Sequence, residues 1–233
     1  MVSFLLMVSN QHIGCPVFVY TPIHQFRCFR YGTRCMVWLL RRAHHFTPMI
    51  IRKATIEDAP VIAAYLLLAM EDIVYGFIGT RDPVKAKEFM RYFTAREHNQ
   101  YSYQNCWVAQ MHTEVVGALN VYDGAQLHSL RQPVLEYLHS HFHKDVRPED
   151  ETGPGEYYID TIGVHPEQHG RGVGTRLLQF LIDEYVVRQR RVLGLLVEEA
   201  NPGAKRLYVR LGFKPVGTRV LFGKNMEHLQ LKG

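Results

Sequence analysis

Acidic residues are missing from the first 48 positions of this 233-residue chain, although that segment holds five arginines. The rest of the chain carries 22 basic and 22 acidic residues, so the net charge of +5 belongs to residues 1–48 alone. A neutral body lacks the basic surface that nucleic-acid binding requires. We therefore expect no nucleic-acid partner.

Cysteine and long apolar runs are also scarce. Cys106 is the one cysteine after residue 48, and a single thiol cannot form an internal disulfide, so we expect a reducing compartment, the cytoplasm. The three cysteines before it match no paired-cysteine metal spacing. No uninterrupted apolar run reaches the roughly 18 residues of a membrane-spanning helix. We expect neither a bound metal nor a membrane partner.

Regular periodicity is absent from residues 1–48, where apolar fragments mix with scattered arginine and histidine. The first basic residue is Arg27, too late for the charged start of a secretory signal. We interpret 1–48 as an irregular N-terminal extension, with Met49 as the natural start. Residues 49–233 have the length of one domain with a full core.

The most informative stretch begins at Tyr157. An apolar, β-branched run over 157–164 predicts a buried strand. A glycine-rich turn over 169–175 follows, and the apolar residues after it recur every three or four positions, as on one face of a helix. The first N–H groups of such a helix have no partner inside it, and the helix dipole is positive there, so this turn predicts an anion site.

Two familiar nucleotide sites are excluded by the spacing of the glycines. A P-loop requires a lysine after its last glycine, but Thr175 follows Gly174 here. A dinucleotide fingerprint that starts at Gly170 would need its third glycine at Thr175. The pattern G-x-G-x-G is a different one, and by itself it also fits an ordinary strand-to-helix loop.

A second segment downstream makes the pattern specific. After an apolar strand over 192–197, Asn201 and Pro202 suit a helix start and Gly212 suits its end. V-x-P-x-x-x-G-x-G-x-G followed by N-x-x-A-x-x-L-Y-x-x-L-G-F resembles the GNAT superfamily of acetyl-CoA-dependent N-acetyltransferases. One departure is His169, where the family usually has glutamine or arginine.

The resemblance implies the fold class. We expect an α/β (α+β) domain with a mixed, mostly antiparallel sheet of six or seven strands, helices on both faces and a splayed central strand pair. The remaining pattern agrees with a first strand at 49–54, helices over 61–77 and 84–96, a hairpin over 107–122 and closing strands over 218–222 and 226–231. Residues 124–155 form an insertion, helical over 127–143.

The resemblance also implies the cofactor-binding residues. Main-chain groups of the predicted strand would hold the pantetheine, and the glycine turn would hold the pyrophosphate. Three residues of the second motif would add contacts. The full set is Ile162, Gly163, Val164, His169, Gly170, Arg171, Gly172, Val173, Gly174, Thr175, Asn201, Ala204 and Lys205.

Two residues are candidates for catalysis. In the family, a tyrosine at the position of Tyr208 protonates the departing thiolate, although Tyr208 also lies on an apolar helix face where it could simply pack. Asp160 is expected to share its strand face with Tyr158, Ile162 and Val164. An apolar setting would raise its pKa, as a base for an ammonium requires, but a carboxylate bound to structural amides fits equally well.

The resemblance implies acetyl-CoA as co-substrate and a primary amine, of a small molecule or a protein, as acceptor. It implies direct attack in a ternary complex, and it is compatible with a homodimer. A module that binds or senses acyl-CoA without turnover is the alternative function. Glu198 and Glu199 are the second choice as the general base.

Overall fold

The computed structural model of the chain describes residues 49–233. Our interpretation of residues 1–48 as an irregular extension lies outside that part of the chain. Every element described below therefore belongs to the predicted domain over 49–233.

A seven-stranded mixed sheet forms the centre, in the order β1-β2-β3-β4-β5-β7-β6. β4 and β5 run parallel, and every other neighbouring pair is antiparallel. The strands are β1 Met49–Lys53, β2 Cys106–Met111, β3 Glu114–Asp123, β4 Tyr157–Val164, β5 Leu193–Glu198, β6 Lys214–Leu221 and β7 Lys224–Leu231. The predicted mixed, mostly antiparallel sheet is confirmed.

Within residues 49–233, five α-helices connect the strands, and side chains cap the start of two of them. Asp82 Oδ1 accepts from Val84 N at 3.0 Å at the start of α2. Asn201 Oδ1 accepts from Ala204 N at 3.1 Å at the start of α5. The helices are α1 Ala59–Ile78, α2 Pro83–Thr94, α3 Leu127–Phe142, α4 Val173–Leu181 and α5 Pro202–Arg210.

Helices cover both faces of the sheet, because each face buries a separate apolar layer. The first layer lies under α1, α2 and α3, and the second lies under α4, α5 and a π-helix over Ile182–Arg188 that continues α4. The apolar positions predicted for one face after the glycine turn are all buried in the second layer; they are Leu177, Leu178, Leu181, Ile182, Tyr185 and Val186.

α1 is the longest and most apolar helix in the described part of the chain. By length and composition alone, Ile56–Ile78 could cross a membrane. More than half of that window is buried inside the protein, and α1 contributes Ile62, Leu66 and Phe77 to the first apolar layer. Its hydrophobicity is accounted for by packing on the sheet.

Candidate active site

A gap opens in the middle of the sheet, between β4 and β5. The two strands pair only over Tyr157–Ile159 and Leu193–Leu195, although β4 continues to Val164. β4 stays paired with β3 as far as Gly117↔Val164, so its edge toward β5 is open beyond Ile159. The splayed strand pair expected from the sequence is confirmed, and the predicted pantetheine strand, 162–164, borders this gap.

Gly163 fixes the distance between β4 and α1. A Cβ atom placed on it would lie 2.1 Å from the carbonyl oxygen of Tyr65, so only glycine allows this approach. Ile162 and Val164, on either side, pack into the second apolar layer. The backbone at the gap is thus held rigidly from both faces of the sheet.

The glycine turn leads from the end of β4 into α4. Gly170 and Gly172 have φ values of +72° and +82°, in the left-handed region that glycine adopts without strain. Arg176 N donates to Gly172 O at 3.0 Å, which makes the N–H groups of residues 173–175 the first turn of the helix. A Cβ on Gly172 would meet nothing within 4 Å, so the space beside Gly172 is open.

His169 contributes to the turn through the protein itself. Its Nε2 atom lies 3.0 Å from the carbonyl oxygen of Val164, the last residue of β4. Because a carbonyl only accepts, the imidazole is the donor in this contact. The side chain therefore joins the turn to the strand, a role that the sequence did not indicate.

The second motif supplies the start of α5. Asn201 caps the helix through Ala204 N, and Ala204 is buried in the second layer. The Lys205 ammonium forms an ion pair with Glu227 at 2.6 Å, on β7. The cofactor contacts predicted for these three residues remain predictions, and the structure assigns each of them a local structural role as well.

Tyr208 lies in the second apolar layer, with its ring 6.1 Å from that of Phe213 in an edge-on arrangement. Its hydroxyl is buried and has no hydrogen-bond partner among the described residues. Burial raises the pKa of Tyr208 well above its usual value, so the phenol keeps its proton at neutral pH. A buried hydroxyl without a partner is costly and fits a group that meets a ligand.

Asp160 is displaced from the face on which the sequence placed it. Asn120 pairs with Thr161 and Val121 with Ile159, so Asp160 is the extra residue of a β-bulge. The bulge breaks the alternation of side chains: Asp160 stays on the face of the first layer, whereas Ile162 and Val164 turn to the second. The expectation that Asp160 shares a face with Ile162 and Val164 is wrong for this reason.

The Asp160 carboxylate is buried in a polar network and not in an apolar pocket. Its Oδ2 atom accepts from Gln100 Nε2 at 2.7 Å and lies 3.1 Å from Tyr122 Oη, while Thr161 Oγ1 donates to Oδ1 at 2.8 Å. Burial and the nearby charge of Glu151 raise the pKa of Asp160 to about 6, against the hydrogen bonds that lower it. The direction of this shift is the one expected from the sequence.

The alternative carboxylates lie at the other side of the gap, at the end of β5. Glu198 Oε2 accepts from Lys224 Nζ at 3.2 Å, and Glu199 is exposed. Within residues 49–233, no group of three histidine, cysteine, aspartate or glutamate side chains is arranged to hold a metal ion.

A comparison with a family model identifies the protein family. The acetyltransferase (GNAT) family matches residues 70–213, which run from within α1 through α5 and include the gap and the glycine turn. This chain belongs to the GNAT family.

Individual GNAT proteins agree. An N-alpha-acetyltransferase RimI of Mycobacterium tuberculosis is 44% identical over 68 residues, and a mycothiol acetyltransferase of Mycobacteroides abscessus is 36% identical over 83. These matches cover 29% and 36% of this chain, and the chain spans only 41% and 27% of the two curated relatives. The similarity is therefore confined to part of each protein.

Solved structures extend the likeness to nearly the whole described domain. A crystal structure of an acetyltransferase is 32% identical with a TM-score of 0.67, covering 78% of this chain and 98% of that one. An N-acetyltransferase from Staphylococcus aureus Mu50 shares the fold at 23% identity, with a TM-score of 0.65 over 78% of this chain and all of its own.

The network around Asp160 contains residues that the GNAT resemblance did not indicate. They come from the loop before β2, from β3 and from the 124–155 insertion; they are Gln100, Tyr122, Arg131 and Glu151. Glu151 stands in a run of polar residues that reads as a solvated loop. The one signal in the sequence was that the 124–155 insertion contains both Arg131 and Glu151, which have opposite charges and could pair.

Proposed function

We propose that this chain transfers an acetyl group from acetyl-CoA to a primary amine, by direct attack with both substrates bound. One observation carries the proposal: β4 separates from β5 after Ile159 and leaves the main chain of 162–164 along a gap that ends at the glycine turn. Membership of the GNAT family supports the same activity.

The residues along this gap fit acetyl-CoA, whose thioester supplies an activated acyl group when bound. Main-chain groups of Ile162, Gly163 and Val164 would pair with the pantetheine, and an N–H there would polarise the acyl carbonyl. The N–H groups at the start of α4, together with its dipole, would hold the pyrophosphate. Open space before Gly172 and the partnerless Tyr208 hydroxyl support this fit.

Two side chains would move the protons. Asp160 would take a proton from the ammonium form of the acceptor, since a carboxyl of raised pKa accepts one more readily than an ordinary aspartate. Tyr208 would donate its hydroxyl proton to the departing sulfur. They lie on opposite faces of the sheet, Asp160 toward the first layer and Tyr208 in the second. This arrangement separates the base from the acid.

The acceptor is a primary amine of a small molecule or of a protein. The relatives support both classes, since one is named an N-alpha-acetyltransferase and another a mycothiol acetyltransferase. Acceptor selection would fall to the elements of the first layer, α1, α2 and the 124–155 insertion, because Asp160 faces them.

The test is an assay of the full chain with acetyl-CoA and a panel of amines: peptides with free N-termini, lysine-containing peptides and small primary amines. Released CoA is measured as free thiol and the acetylated product by mass spectrometry. The proposal expects both in equal amounts for at least one amine class. Tight binding of acetyl-CoA without turnover across the panel would instead support an acyl-CoA sensor.

A further inference from the structure

A second carboxylate lies beside Asp160, and the 124–155 insertion delivers it. Glu151 Oε1 lies 2.8 Å from Gln100 Nε2 and 3.2 Å from Tyr122 Oη. The same two atoms lie 2.7 and 3.1 Å from Asp160 Oδ2. One amide and one phenol thus bridge two buried carboxyl groups, although the residues are far apart in sequence.

Arg131 forms ion pairs with two acidic residues of its own insertion. Its guanidinium is buried and forms an ion pair with Glu151 through Nη2, and Nη1 contacts Asp150 at 3.0 Å. The buried cation therefore holds Glu151 in place, and the Glu151 carboxylate lies next to Asp160 across Gln100 and Tyr122. A neighbouring negative charge disfavours the ionised form of Asp160.

The position of Glu151 is fixed from several sides. Arg131 also donates to the carbonyl oxygens of Pro148 and Glu149, at 3.4 and 3.3 Å. From β6, Arg219 Nη1 donates to Asp150 O at 3.0 Å. The segment before Glu151 is therefore held by α3 on one side and by the β6–β7 hairpin on the other.

Two buried phenols and one thiol near Asp160 stay neutral at the pH values where the Asp160 carboxyl titrates. Burial raises the pKa of Tyr101 and of Tyr122 well above their usual value, and it raises the pKa of Cys106 to about 12. The titratable and charged groups around Asp160 in the described chain are Tyr101 before β2, Cys106 on β2, Tyr122 on β3, Tyr158 on β4, and Arg131 and Glu151 of the insertion.

We propose that Glu151 is a positioning residue for the reaction: its carboxylate, next to Asp160 across Gln100 and Tyr122, strengthens the hold of Asp160 on a proton. The proposal rests on the proposed function, in which Asp160 is the base. It goes beyond that function because the insertion, and not β4 alone, then determines how strongly the base holds its proton. The charge of Glu151 favours the protonated form of Asp160, in agreement with the raised pKa.

The proton balance is simple. Before reaction Asp160 is ionised, and the acceptor enters as an ammonium. One proton passes from the ammonium nitrogen to the Asp160 carboxylate, which leaves a free amine with its electron pair available for attack. When the C–S bond breaks, the nitrogen loses a second proton, which replaces the one that Tyr208 gives to the departing sulfur. Solvent removes the proton on Asp160 after product release.

The experiment is the pH dependence of kcat in Glu151→Gln, with the full chain and the best amine of the panel. Removing the like charge should move the acid limb of the pH–rate profile, where activity falls as pH falls, about one pH unit lower. The rate at pH 5 relative to pH 8 should then rise about fivefold. Asp150→Asn is the matched control. It removes the charge of another carboxylate that pairs with Arg131 and leaves Gln100 and Tyr122 unchanged. The acid limb of this variant should stay in place.

Tyr122→Phe provides a second, opposite test. The phenol donates to the ionised pair, so its loss should move the acid limb to higher pH. A residue that only supports the fold would lower activity at every pH and leave the limb in place. Folded variants of both kinds whose limbs coincide with the wild-type limb would overturn the proposal.

Asp160→Asn separates this inference from the proposed function. If the acid limb persists in that variant, Asp160 is not the base and the proposed function needs another one. If the limb disappears in Asp160→Asn but does not move in Glu151→Gln, only the role proposed for Glu151 is wrong. Carbon-13 NMR titration of the Asp160 carboxyl carbon measures the pKa of Asp160 without turnover. Glu151→Gln should lower that pKa by about one pH unit.

Discussion

The imidazole Nε2 of His169 lies 3.0 Å from the carbonyl oxygen of Val164. This contact joins the glycine turn to the end of β4, the two segments that would hold opposite ends of the pantetheine-pyrophosphate chain. It explains why a histidine serves at a position where the family usually has glutamine or arginine: each of the three can donate to a carbonyl.

Replacing His169 therefore tests a positioning role. His169→Ala removes one exposed hydrogen bond and should weaken acetyl-CoA binding by about 2- to 10-fold, with little change in kcat. His169→Gln keeps a donor and should bind nearly as the wild type does. The dissociation constants come from isothermal titration. Equal losses in both variants would mean that the imidazole itself meets the cofactor.

Gly172 tests the anion site with a matched pair. Asp and Asn have the same shape, and both bear the strain of a φ of +82°. Asp also brings a negative charge to the phosphate cradle, so Gly172→Asp should weaken acetyl-CoA binding by about 100-fold or more, and Gly172→Asn by about tenfold or less. If the two variants bind alike, charge is irrelevant there and the pyrophosphate assignment fails.

Much of this site could be predicted from the sequence, because its signals are local. The strand at 157–164, the glycine turn and the cap at Asn201 each depend on neighbouring residues. The bulge at Asp160 and the partners Gln100 and Glu151 could not be predicted. They depend on pairing between strands and on contacts between residues tens of positions apart. No periodic pattern in a single sequence indicates such contacts.

Tyr208→Phe should separate catalysis from packing. Without the hydroxyl, kcat should fall by about 10²- to 10⁴-fold, while acetyl-CoA affinity changes little. The removed oxygen has no hydrogen-bond partner in the described chain, so the melting temperature should stay the same or rise. Full turnover in a folded Tyr208→Phe variant would assign the residue to packing alone.

Asp160→Asn should change stability in a pH-dependent way. Because the folded-state pKa is raised from 3.8 to about 6, the protonated carboxyl is the form that folding favours. The wild type should therefore lose stability as pH rises from about 4 through about 6, while Asn, an uncharged isostere, should not. Urea unfolding should give no difference below about pH 4 and an advantage of about 1–3 kcal/mol for Asn above pH 7.

The same variant should lose activity at neutral pH and recover part of it as pH rises, since the acceptor then arrives as the free amine. An Asn variant that is less stable than the wild type at every pH, with a uniform loss of activity, would make Asp160 a structural residue.

The central claim is that acetyl-CoA binds along the gap between β4 and β5. Hydrogen–deuterium exchange of the full chain, with and without acetyl-CoA, tests it most directly. We expect the largest protection in peptides that cover 160–164 and 169–176, with little change in α2 and in the β2–β3 hairpin. Protection confined to other parts of the chain, with 160–176 unchanged at saturating acetyl-CoA, would contradict the account.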